Sequence, residues 1–95
     1  MDFQQLVRNE ITMPIVELCE TMLEEGEMEQ HAFFQGLLPL LAEPDREEMV
    51  LAAVIELSKC AFLGFNYSPL VAMRIDQLLE RSIDLAHTMS ADGMN

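Results

Sequence analysis

Apolar residues recur every three or four positions through most of the chain, the spacing that places them on one face of an α-helix. The first such stripe consists of Phe3, Val7, Ile11, Ile15, Leu18 and Met22. Asp2, with Gln5 three residues later, predicts a capping box at the start of this helix, and Gly26 predicts its end. Pro14 removes a backbone donor, but the stripe continues across it in phase. We therefore predict one helix with a kink rather than two helices.

The next segment, residues 27–42, carries a weaker helical signal. Its apolar side chains are Phe33, Phe34, Leu37, Leu38 and Leu41. Gly36 and Pro39 both disfavour a helix within this segment. We expect a helix of two or three turns that runs into an irregular end.

Residues 46–63 are apolar almost all round the helix that they predict. Their thin polar stripe contains Glu48, Glu56 and Lys59. Asp45 and Glu48 have the spacing of a second capping box, and Gly64 predicts the end of the helix. Because a helix of this kind is normally buried on nearly all sides, we expect it to be the central element.

The last helix is predicted over residues 69–89, because Ser68 is a favourable N-cap and Pro69 suits the first helical position. Its heptad-like seam comprises Val71, Ile75, Leu78, Ser82, Leu85 and Met89. We expect residues 90–95 to form a flexible tail. With short connections and no strand signal, the pattern predicts an all-α fold, a small antiparallel bundle of four or five helices forming one domain over residues 1–89.

Composition and charge point to a protein that binds other proteins. Hydrophobic residues make up 51% of the 95-residue chain, more than a small globule hides easily, so we expect exposed apolar surface. The net charge is −12, and 12 of the 17 acidic residues lie within residues 1–49. This charge disfavours direct binding to nucleic acid or to an anionic membrane. We expect a partner protein with a basic or apolar surface, and also a homodimer.

The two cysteines, Cys19 and Cys60, are far apart and lie within apolar patterns, which predicts buried thiols rather than a disulfide framework. The sequence does not start with a basic segment followed by an apolar one, as a secretory leader would. Its longest apolar run, Met49 to Ile55, has seven residues, too few for a membrane span. We therefore expect a cytoplasmic protein.

Candidate chemistry is sparse. Asp84 and His87 have the spacing of one metal-ligating pair on a helix, and Glu17 and Glu20 offer further carboxylates. A second Glu-x-x-His pair is lacking, and solvated carboxylates beside an exposed histidine are the simpler interpretation. No catalytic set, zinc site or phosphate-binding loop is indicated. We predict a protein that is not an enzyme and has no cofactor.

Aromatic and acidic residues supply the candidate binding surface. Phe33 and Phe34 point about 100° apart on a helix, so both cannot face one narrow core seam. The acidic run is either a solvated helix end or a docking patch for a basic partner, and it consists of Glu24, Glu25, Glu27 and Glu29. Negative charge at the C-terminal end of a helix opposes the helix dipole, which adds some weight to the docking interpretation. The predicted partner-binding residues are Phe33, Phe34, Leu37, Phe62, Phe65, Tyr67, Glu20, Glu24, Glu25 and Glu27. Eight methionines either fill the core or provide an adaptable contact surface.

Two segments resemble known families. Residues 63–67, Leu-Gly-Phe-Asn-Tyr, resemble the Leu-Gly-x-x-Tyr core of a tetratricopeptide repeat, but Asp76 and Glu80 stand where that repeat has small and aromatic residues. Residues 46–84 resemble the helical hairpin of the sporulation-type aspartyl-phosphate phosphatases, and of that family's Ser-Gln-Glu-Leu-Asp motif only Asp76 is retained. We assign the chain to neither family.

Three functional hypotheses follow from the sequence. The first is a non-catalytic helical adaptor, of chaperone, inhibitor or immunity type, that holds another protein through apolar helices with an acidic rim. The second is an acidic mimic of nucleic acid that blocks a basic groove. The third is a small metal-binding bundle that uses Asp84 and His87.

Overall fold

The computed structural model describes residues 2–93, with the side chains of residues 61, 62 and 89–93 outside the description. The described residues form a helical bundle with principal extents of 44 × 21 × 19 Å. Its α-helices are α1 (Phe3–Val7), α2 (Met13–Glu24), α3 (Met28–Gln35), α4 (Glu47–Ser58) and α5 (Pro69–Gly93). A π-helical turn (Arg8–Thr12) joins α1 to α2, and 3-10 turns (Leu38–Leu41 and Lys59–Phe62) precede and follow α4. The all-α bundle predicted from the periodicity is confirmed.

The first helix runs without a break past Pro14 because the chain adopts a wider turn just before it. The amide of Met13 donates to the carbonyl of Arg8, five residues back, as in a π-helix. From Phe3 to Ile15 the stripe recurs every four residues, a spacing that drifts by about 40° per step on an ideal α-helix. The wider turn takes up this drift and keeps Ile11 and Ile15 fully buried on the same face as Val7.

Most helix ends follow the predicted capping. The Asp2 carboxylate accepts from the Gln5 amide at 2.8 Å. At the end of α2 the Glu27 amide donates to the Met22 carbonyl at 2.8 Å and the Gly26 amide to the Leu23 carbonyl at 3.2 Å, the pair of bonds of a Schellman motif. Gly26 has φ of +75°, a conformation that glycine adopts without strain.

The capping box predicted at the start of α4 is wrong. Arg46, not Asp45, is the N-cap residue, and its side chain makes no capping hydrogen bond. The Arg46 guanidinium instead pairs with Glu48 at 3.1 Å and with Glu43 at 3.7 Å. Glu48 is thus engaged by a cation and does not turn back to the preceding backbone.

A single core runs through the bundle. It is formed by Val7, Ile11, Ile15, Leu18, Cys19, Met22, Phe34, Leu37, Leu41, Val50, Ala53, Val54, Leu57, Cys60, Val71, Ile75, Leu78 and Leu85. Helix α2 packs against α3, and α5 packs against α4, α2 and the π-helical turn. None of the described helices is long and apolar enough to cross a lipid bilayer.

Helix α4 is less enclosed than we expected. Val50, Ala53, Val54 and Leu57 are buried. Leu51 and Ile55, four residues apart and so on one face, are exposed, Ile55 by 53%. Helix α4 is apolar on nearly all sides, but the rest of the chain leaves one of its faces exposed. We call this face the α4 face (Leu51 and Ile55).

Helix α5 begins as predicted, with the Val71 amide donating to the Ser68 hydroxyl at 3.4 Å. The predicted seam faces the core through Val71, Ile75, Leu78, Ser82 and Leu85, and its last member, Met89, has a side chain outside the described part. Helical backbone continues to Gly93, beyond the predicted end near residue 89.

Two truncations on α4 test this arrangement. Leu57→Ala should lower the free energy of unfolding by about 2–5 kcal/mol, because Leu57 is fully buried and its loss opens a cavity. Ile55→Ala, on the exposed face, should change the stability of the monomer by less than about 1 kcal/mol. Urea unfolding at low protein concentration measures both, and similar losses would contradict the burial described here.

Candidate functional site

A buried glutamine joins two parts of the chain that are distant in sequence. Gln30, on α3, is only 6% exposed, and its amide nitrogen donates to the Asn66 carbonyl at 2.5 Å. The same nitrogen donates to the Glu27 carboxylate at 3.4 Å. The start of α3 and the segment before α5 are thereby held side by side.

Further contacts bring the end of α2 to the start of α5. The Ser68 hydroxyl lies 3.5 Å from the Glu25 carboxylate, and the Arg74 guanidinium lies 3.5 Å from the Thr21 hydroxyl. One end of the bundle therefore combines the last turns of α2, the start of α3, residues 63–68 and the first turns of α5.

Aromatic rings from α3 and from the segment before α5 pack against one another at this end of the bundle. The ring of Phe33 meets that of Phe34 edge-on at 5.1 Å between centroids and that of Phe65 at 6.2 Å. Phe65 in turn meets Tyr67 at 6.2 Å. Only Phe34 is fully buried, whereas Phe33, Phe65 and Tyr67 are partly buried. The rings fix the segment before α5 against α3, as edge-to-face packing favours.

The Tyr67 hydroxyl faces inwards and donates to the Cys60 carbonyl at 3.3 Å. Burial, with a smaller contribution from Cys60, raises the pKa of Tyr67 to about 12. The neutral phenol is therefore the form that the folded chain stabilises.

Carboxylates crowd the same end. All are exposed, and none takes part in a salt bridge among the described residues. The group consists of Glu20, Glu24, Glu25, Glu27 and Glu29. We call the part of the bundle that carries them the acidic end.

Large apolar side chains are exposed between and beside these carboxylates. Leu23 is 54% exposed and Met28 is 57% exposed. Leu63, Leu70 and Met73, from the segment before α5 and its first turns, are about half exposed as well. Among the side chains that the structure describes, nine large apolar ones are exposed, and five of these belong to the acidic end. The remaining four are Met13, Leu51, Ile55 and Ile83.

A groove separates the two walls of the acidic end. Residues 26–30 form one wall and residues 64–66 the other, around a volume of about 530 Å³. Gly26 and Gly64 both have φ of +75°, and no atom lies within 4 Å of where a Cβ would stand on either. The groove is therefore bordered by two bare backbone turns and open to solvent.

The structure distributes the predicted binding residues between the core and the acidic end. Phe34 and Leu37 are buried in the core, so neither side chain is accessible in the monomer. The side chain of Phe62 lies outside the described part. The other predicted residues come together at the acidic end, namely Phe33, Phe65, Tyr67, Glu20, Glu24, Glu25 and Glu27.

Sequence reasoning did not place in this site the buried Gln30 or the exposed apolar side chains, which are Leu23, Met28, Leu63, Leu70 and Met73. Leu23 and Met28 had a usable signal, since both lie off the apolar stripe and next to glutamates. No signal in the sequence indicated the burial of Gln30, because its hydrogen-bond partner lies 36 positions away and a glutamine in an acidic run normally faces solvent.

The groups considered for chemistry are not assembled into a site. Cys19 and Cys60 are both buried and are not joined in a disulfide, as predicted. Burial, and then the neighbouring Glu20, raises the pKa of the Cys19 thiol, which disfavours the reactive thiolate. Within the part of the chain that the structure describes, no three His, Cys, Asp or Glu side chains are placed to hold one metal ion.

Comparison with protein-family models, with curated proteins and with solved structures finds no match for this chain. The function is therefore inferred from the residues of the acidic end alone.

The ionisation of Tyr67 offers a direct test of the packing at the acidic end. The chain has one tyrosine and no tryptophan, so tyrosinate absorbance reports this residue alone. The midpoint should lie near pH 12 in the folded chain and near the ordinary value of about 10 in urea. Between these values the unfolded chain loses the proton first, so folding stability should fall as pH rises.

The matched variant is Tyr67→Phe. It should remove the part of the alkaline stability loss that comes from this hydroxyl. A midpoint in the folded chain equal to that in urea would show that Tyr67 is not packed as described.

Proposed function

We propose that this chain is a non-catalytic protein-binding adaptor, of chaperone, inhibitor or immunity type, that holds its partner at the acidic end. The observation that carries the proposal is the mixture there of exposed apolar side chains and carboxylates that form no salt bridge among the described residues. Leu23 and Met28 stand between Glu20 and Glu29 in sequence and are more than half exposed. Apolar surface of this kind is typical of interaction sites.

The same mixture supports protein binding over nucleic-acid mimicry. A mimic of nucleic acid needs carboxylates spread over one continuous surface, as phosphates are. In the sequence the carboxylates of the acidic end are interrupted by Leu23 and Met28, and the segment before α5 and its first turns add the exposed Leu63, Leu70 and Met73. These side chains would gain nothing in a polar groove built for phosphates, whereas a protein surface can bury them.

We propose a second contact for the α4 face, with a second copy of the chain as its occupant. Leu51 and Ile55 present an uncovered apolar strip, and the acids nearest to it in sequence are partly offset, because Lys59 pairs with Glu56 at 2.8 Å. A copy meeting this face therefore encounters less like charge than it would at the acidic end. The two contacts involve different parts of the bundle.

Capture from native lysate with paired variants tests the adaptor proposal. The immobilised chain should retain a distinct protein, and Leu23→Ser with Met28→Ser should abolish the retention, because the apolar contact is lost. Leu51→Ser with Ile55→Ser, which also removes two exposed apolar side chains, but from the α4 face, should leave the retention intact. Retention that survives the first pair of changes would contradict binding at the acidic end.

Light scattering tests the dimer. The chain should have twice its monomer mass at micromolar concentration, and Ile55→Asp should reduce this to the monomer mass by placing a charge in the contact. Leu23→Asp, at the acidic end, is the matched control and should remain dimeric. A monomer at all concentrations would rule out the second contact and leave the acidic end unaffected.

A further inference from the structure

We propose that the groove of the acidic end receives an arginine side chain from a basic partner protein. This inference rests on the proposed function, because it specifies the partner surface that the adaptor holds. It draws on the charge of the groove, on the aromatic ring in its wall and on the bonds that hold its shape.

The charge of the groove requires a cation from the partner. Glu27, Met28 and Glu29 all line the groove, so a side chain that fills the groove lies against the two carboxylates and removes water from them. A carboxylate that loses its water without gaining an opposite charge is strongly destabilised. Neither carboxylate has a cationic partner among the described residues. The covering surface must therefore supply the positive charge.

The negative charge of the groove also excludes a second copy of the chain as its occupant. Two copies meeting at their acidic ends would bring five carboxylates from each side together, with Arg74 the one basic side chain shown in contact with this end among the described residues. Like charges pressed together in a desolvated contact are unfavourable. The occupant is thus a different protein with a basic surface.

The other wall favours arginine over lysine. Phe65 lines it, and its ring is held by edge contacts to Phe33 and Tyr67. A guanidinium is planar, is weakly hydrated, and stacks on aromatic rings while donating to carboxylates. An ammonium is strongly hydrated and cannot form the same flat contact.

The groove keeps its shape without an occupant. The bond from Gln30 to the Asn66 carbonyl ties one wall to the other, and the bond from Gln30 to Glu27 orients one of the carboxylates. Gly26 and Gly64 leave the rim free of side chains. Little ordering is therefore needed when a side chain enters, which favours binding. The volume of about 530 Å³ admits a side chain of arginine's length.

The test uses the full chain and a synthetic helical peptide whose leucines form one face and whose arginines form the other. The control peptide has citrulline, the uncharged analogue of arginine, at every arginine position, and a third peptide has lysine. Calorimetry should give binding of the arginine peptide at least about tenfold tighter than that of the citrulline peptide. The lysine peptide should bind with intermediate affinity.

Charge-matched variants distinguish binding in the groove from general attraction to the negatively charged chain. Glu27→Gln with Glu29→Gln should lower the affinity for the arginine peptide by about tenfold, because two partly desolvated ion pairs are lost. Glu80→Gln with Asp84→Asn removes the same amount of charge from exposed positions on α5. This pair should lower the affinity for the arginine peptide by less than about twofold. Phe65→Leu should reduce the preference for arginine over lysine, with circular dichroism confirming that each variant is folded.

Equal losses for the two variant pairs would overturn the inference, since binding would then follow total charge alone. Equal affinities for the arginine and citrulline peptides would overturn it as well. In either case the proposed function would still be judged separately by whether Leu23→Ser with Met28→Ser abolishes capture of the native partner.

Discussion

The apolar stripe of the first helix must face the core along its whole length, and the rest of the bundle depends on that constraint. A four-residue repeat and a proline both work against it in a regular α-helix. The π-helical turn at Arg8–Thr12 resolves both difficulties. Its wider turn, just before Pro14, compensates for the angular drift of the four-residue repeat. As a result Val7, Ile11, Ile15, Leu18 and Met22 provide one continuous surface against which α3 and α5 pack.

The direction of that helix also places the acidic end. Because the stripe stays in phase, α2 reaches its Schellman turn at Gly26 with Met22 buried and the flanking glutamates outside. The chain then reverses into α3, and the buried Gln30 fixes the reversal to Asn66. Folding thus leaves Leu23 and Met28 outside, at the same end as the carboxylates.

Local sequence signals predicted most of the fold, and the rest depended on contacts between distant residues. Helix periodicity, the Asp2 and Ser68 caps and the Gly26 stop needed only neighbouring residues, and all were correct. The start of α4 was not, because Arg46 competes for Glu48. The carboxylates of the site could be read from the sequence. The inward direction of Phe34 and the exposure of Ile55 could not, since both depend on how the helices pack.

Photo-crosslinking inside the native cells would show whether the acidic end binds a partner protein. A photoreactive residue would replace Met28 at the acidic end, and a second version would carry it at Glu43, an exposed position in the segment before α4. The photoreactive residue at position 28 should become joined to a different protein, one with a basic surface, and the residue at position 43 should give no comparable product. Products from Met28 that contain only a second copy of the chain, or the same products in the same yield from Glu43, would contradict a partner-binding site at the acidic end.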